Sequence, residues 1–66
     1  MAEVAPLRNS NSGWQAGYDE GTQTLTIVFT DGRPYQFNGV PPDVWKGLQE
    51  AHSAGAYYNR MIRGAY

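Results

Sequence analysis

From Gly13 onward the chain alternates apolar with polar positions: Trp14, Ala16 and Tyr18, then Leu25, Ile27 and Phe29, then Tyr35 and Phe37. A period of two marks strands with one buried face. The β-branched residues Thr24, Thr26, Ile27 and Val28 favour the same conformation. The turns set the register. A two-residue loop at Asp31-Gly32 would put Tyr35 and Phe37 on the face opposite Leu25, Ile27 and Phe29. A three-residue loop, Thr30-Asp31-Gly32, instead pairs Phe29 with Arg33, Ile27 with Tyr35 and Leu25 with Phe37, which keeps one face apolar. It also assigns Gly32 the left-handed position where a Cβ is unfavourable. By the same logic a four-residue loop, Asp19 to Thr22, pairs Ala16 with Leu25 and Trp14 with Ile27.

After Val40 the period becomes helical. Pro41-Pro42-Asp43 suits a first turn, because proline lacks an amide that would be unpaired there and the carboxylate faces the positive helix end. At about 100° per residue Val44, Trp45, Leu48 and Ala51 share a stripe, with His52 beside Trp45 and Lys46 and Glu50 pointing away. Gly47 weakens this helix slightly. Ser53 reads as the N-cap of a second short helix and Gly64 as its stop. If residues 54–63 are helical, Tyr57, Tyr58, Met61 and Ile62 span an arc of about 140°, with Asn59, Arg60 and Arg63 behind it. The late tyrosines are then core, and the arginines form a polar back. The predicted fold is α+β: a three-stranded antiparallel meander covered on one face by two short C-terminal helices.

Residues 1–12 (MAEVAPLRNSNS) are small and polar without periodicity and read as a mostly flexible N-terminal arm, a late addition to the sheet being its one structured alternative, leaving 13–66 as a single domain. A chain of 66 residues buries only about 60% of its unfolded surface. With no cysteine and one histidine, His52, disulfides and thiolate or all-histidine metal sites are excluded. Two Trp, five Tyr and two Phe supply the large side chains of a small core. No apolar run approaches the ~18 residues of a membrane helix, and a cytoplasmic protein is expected.

The motifs GYDEGTQTLTIVF, DGRPYQF, GVPPDVW and AHSAGAYYNRMIRGAY, in that order, resemble the KTSC domain family. This is a short bacterial and phage module named for its occurrence at the C-terminus of some lysyl-tRNA synthetases. The resemblance covers roughly Ser12 to Tyr66. Phe37 stands where a tyrosine is common, His52 and Ala54 replace other small or polar residues, and Pro42 doubles the proline. The resemblance implies a domain of about this length, often standing alone, for which RNA binding has been suggested.

The side chains themselves point to binding rather than catalysis. A nucleophilic site needs a base beside a Ser or Cys and a group to orient it, whereas His52 is expected to pack at the core edge. Asp31-Gly32 and Asp19-Glu20-Gly21 are turn chemistry, not phosphate loops. No catalytic residue, cofactor, metal or small-molecule substrate is expected. Two binding readings remain. RNA or another nucleic acid would be held by Arg33, Arg60, Arg63 and Tyr66, with Tyr35 as a further stacking candidate needed also by the core. The net charge of −1 confines that reading to a local patch. A host or cognate protein would be held by Trp14, Tyr18 and Tyr66, where burial at the ends of the pattern is least assured.

Overall fold

The computed structural model describes residues 3–10 and 13–66. Four antiparallel strands lie in chain order: β1 (Ala5–Pro6), β2 (Gln15–Asp19), β3 (Thr24–Val28) and β4 (Pro34–Phe37). Helix α1 (Pro42–Glu50) and the short α2 (Ala54–Tyr57) follow, and α2 runs into a π-helical turn, Tyr58–Ile62. Ala16, Leu25 and Ile27 from the sheet meet Val40, Leu48, Ala54 and Ile62 in one buried core. Each fully buried Leu, Ile or Val side chain there contributes about 1.5–3 kcal/mol.

The expected three-stranded sheet is corrected to four, because part of the N-terminal arm belongs to it. Ala5 pairs with Ala16 and Pro6 with Gln15. Proline is tolerated on this short edge strand, where its missing amide interrupts no interior ladder. Leu7 then turns into the core, and its amide donates to the Trp14 carbonyl at 2.9 Å. The Asn9 side-chain amide donates to the carbonyls of Leu48 (2.9 Å) and Ala51 (2.7 Å), at the end of α1. The Asn9 carbonyl accepts from Ala54, the first residue of α2, at 3.1 Å. One arm residue therefore satisfies backbone groups at two helix ends, groups that helices leave unpaired. Positions 1, 2, 11 and 12 of the expected arm lie outside the described residues.

The β3–β4 register is the expected one: Ile27 faces Tyr35, Leu25 faces Phe37, and Gly32 has φ +78°. The β2–β3 register is shifted by two residues. Ala16 pairs with Ile27 and Tyr18 with Leu25, so the loop is Glu20 to Gln23 rather than Asp19 to Thr22. A shift of two preserves which face each side chain occupies, so hydrophobic alternation cannot exclude it. The observed turn is held by the Asp19 carboxylate, which accepts from the Gly21 amide at 3.0 Å, and by Gln23 at φ +55°.

Helix α1 starts at Pro42, buries Leu48 and half-buries Val44 and Trp45. It ends at Glu50, two residues before His52: Ala51 is extended (φ −64°, ψ 151°), and the histidine is exposed rather than packed beside Trp45. Ser53 caps α2 as expected, accepting from the Ala56 amide at 3.3 Å. The next turn widens, and the Arg63 amide donates to Tyr58, five residues back, at 2.8 Å. That wider turn rotates the predicted stripe. Ile62 is buried, while Met61 is 45% exposed and so leaves the core to which a regular α-helix would have assigned it.

Candidate functional site

An open cleft of about 440 Å³ lies between the β3–β4 hairpin and the π-helical turn, with Trp14, Phe29, Asp31, Tyr35, Tyr58, Asn59 and Arg63 among its lining residues. Such a volume falls in the range of small-ligand sites. Its walls are rings set edge to face. The Trp14 and Phe29 centroids are 4.6 Å apart at 89°, Phe29 and Tyr58 5.1 Å at 67°, and Phe29 and Tyr35 5.2 Å at 60°. These arrangements suit the aromatic quadrupole and hold the rings in place without stacking them on one another.

Each ring arrives there for a local reason. Alternation aims Trp14, Phe29 and Tyr35 to one face, and Phe29 stands at the start of the tight hairpin, its carbonyl accepting from Gly32 at 3.0 Å. Tyr35 was expected in the core. It is instead 41% exposed, because its place on the edge strand β4 leaves one flank uncovered. Its hydroxyl donates to Asp31 Oδ2 at 2.9 Å. That hydrogen bond, then the Asp31 charge, raise the Tyr35 pKa above its ordinary value, with burial and Tyr58 adding less. Asp31 Oδ1 accepts from the Arg33 amide at 2.9 Å, so the turn pins the carboxylate through both oxygens.

The sequence-derived candidates separate. Of Arg33, Arg60, Arg63 and Tyr66, all exposed, only Arg63 lines the cleft. Arg60 precedes it on the π-helical turn, and Arg33 follows Asp31 on the hairpin. Of Trp14, Tyr18 and Tyr66, only Trp14 lines the cleft. Tyr18 is a structural residue: it stacks on Trp45 (5.9 Å, 16°) and its hydroxyl donates to the Val40 carbonyl. Sequence reasoning missed Asp31 and Asn59 as cleft residues. Asp31 looked like turn chemistry and is that too; its pairing with Tyr35 depends on the hairpin that brings together residues four apart. Among the described residues no group of three or more His, Asp or Glu side chains is placed to hold a metal ion, and no helix is long and apolar enough to cross a membrane.

A meander of four strands carrying a short helical layer, with an aromatic cleft at one end, defines a small α+β module. The KTSC domain family model matches residues 9–66, and the chain belongs to that family. The fold is similar to the crystal structure of a KTSC domain protein from Yersinia pestis, with a TM-score of 0.86 and 27% identity over 98% of this chain and 90% of that one. A lysine–tRNA ligase of Nostoc punctiforme is 42% identical over 52 residues, which cover 79% of this chain but 9% of the ligase. An uncharacterized protein of Stutzerimonas stutzeri is 37% identical over 54 residues, 82% of this chain and 76% of that protein. The chain thus spans only a small segment of the ligase and most of the Stutzerimonas protein.

Proposed function

We propose that this KTSC domain is a non-catalytic, cytoplasmic module that binds single-stranded RNA. A base enters the cleft between Trp14, Tyr35 and Tyr58, and Arg63 meets the adjoining phosphate. Arg60 and Arg33 extend the contact along the strand. The observation that carries this reading is the meeting of a partly exposed Tyr35 with Arg63 on one ring-walled cleft. Aromatic faces and a neighbouring cation are what single-stranded nucleic acid requires. A domain of this family within a ligase named for tRNA is consistent with it. The net charge of −1 makes this a local contact of few phosphates, with a shallow salt dependence.

The test is a chemical-shift titration with short RNA at low salt. Shifts should centre on Trp14, Tyr35 and Arg63, and Arg63→Ala should weaken binding and lower the salt slope by about one unit. Absence of any shift at low salt would refute the reading. A protein-binding role through Trp14, Tyr18 and Tyr66 has less support, since Tyr18 is engaged internally and Tyr66 stands outside the cleft.

A further inference from the structure

We propose that the cleft discriminates among bases, taking cytosine in preference to uracil, and that the Asp31 carboxylate makes the choice. This rests on the RNA-binding reading above and adds a selectivity to it. Rings alone are tolerant of any base, because every base has a π-face. A fixed acceptor on the cleft wall is not tolerant. An ionised carboxylate accepts hydrogen bonds and donates none. Asp31 is held in one orientation by the Arg33 amide and the Tyr35 hydroxyl, each at 2.9 Å. Each of its oxygens retains a further lone pair, and the residue is exposed to the cleft.

The two pyrimidines differ at the group such an acceptor would meet. Cytosine presents an amine at position 4 that donates to a carboxylate; uracil presents a carbonyl there, which would face it acceptor to acceptor. Asn59 also lines the cleft, and its side-chain amide is of the donor type that the acceptor atoms of the same cytosine edge require. Arg63 offsets the charge conflict between Asp31 and the incoming phosphate. The carboxylate holds the hairpin turn, and in a base-reading contact the same fixed acceptor also meets the base edge.

The experiment compares oligocytidylate and oligouridylate of equal length at one low salt concentration, read through the Trp14 indole and Tyr35 ring resonances of the intact protein. Oligocytidylate should bind about tenfold more tightly. Asp31→Asn keeps an oxygen for the Arg33 amide and adds a donor for the uracil carbonyl, so it should reduce that ratio to near one. Its fold is checked by an unchanged amide spectrum away from the hairpin. Equal affinities in the unaltered protein would overturn the selectivity while leaving RNA binding intact. So would a preference that survives Asp31→Asn. Failure of both oligonucleotides to bind would overturn the RNA reading and the selectivity with it.

Discussion

The two ends of the sheet use the same residue types and finish them differently. At one end Tyr18 stacks on Trp45, and its hydroxyl is tied to the Val40 backbone carbonyl. The back of that strand is closed as well, since a side chain at Gly17 would overlap the Glu3 carbonyl. At the other end Trp14, Phe29, Tyr35 and Tyr58 meet edge to face, and the Tyr35 hydroxyl goes to a carboxylate on an exposed turn. Counting aromatics does not separate the two. The partner of the polar tip does: a phenol tied to a buried backbone group is part of the scaffold, whereas one tied to a surface carboxylate stands with that carboxylate where a ligand can reach both.

That division can be broken by substitution. Trp45→Ala should cost about 3 kcal/mol, read as a lower urea midpoint; a cost no greater than that of Tyr35→Ala would erase the distinction between the ends. Gly17→Ala should cost about 2 kcal/mol through overpacking and should strip hydrogen-exchange protection from the Leu7 amide as β1 lifts. Retained protection would mean that the back of the strand is open. At the cleft end, Gly32→Val forces a β-branched residue to φ +78° and should cost about 1–2 kcal/mol, with loss of the Asp31–Tyr35 hydrogen bond seen in the tyrosine ring shifts. A variant that melts like the parent would rule out the left-handed turn.

Much of this architecture is legible in the sequence because side-chain period and turn chemistry act locally. The Thr30-Asp31-Gly32 hairpin, the Ser53 cap and the Gly64 stop follow from single residues with narrow conformational preferences. What is not legible depends on contacts distant in sequence or on degeneracy. Asn9 gives no sign that its amide will close α1, since its partners lie 39 and 42 positions away. The β2–β3 slip of two residues is silent to alternation, and the left-handed residue there is Gln23 rather than a glycine. The π-helical turn moves Met61 outward and Arg63 to the cleft without any residue in YNRMI announcing it. The candidate site suffers from both effects: Arg63 and Trp14 were visible as side chains, but their meeting with Asp31 and Tyr35 depends on the widened turn and on an uncovered edge strand.

The smallest effect separates the ends most cleanly, because it uses the phenols themselves. Both Tyr18 and Tyr35 have pKa values raised above the ordinary tyrosine value of about 10, but for different reasons. For Tyr18 burial comes first, followed by the charges of Glu20 and Asp19. For Tyr35 the hydrogen bond to Asp31 comes first. In either case the folded state keeps a proton that the unfolded state releases. The associated stability is therefore complete below the unfolded value and is lost as pH rises through the higher folded one. Tyr18→Phe should lower the melting temperature at neutral pH by about 5 °C, since it leaves the Val40 carbonyl without its donor. Tyr35→Phe should leave that temperature nearly unchanged and should flatten only the alkaline limb of the stability curve. Asp31→Asn should bring the Tyr35 titration, followed by ring chemical shifts, back toward the ordinary value while the Tyr18 titration stays where it was. If Asp31→Asn moves both phenols together, the two ends share one electrostatic environment, and the cleft loses its claim to be a separate, surface-tuned site.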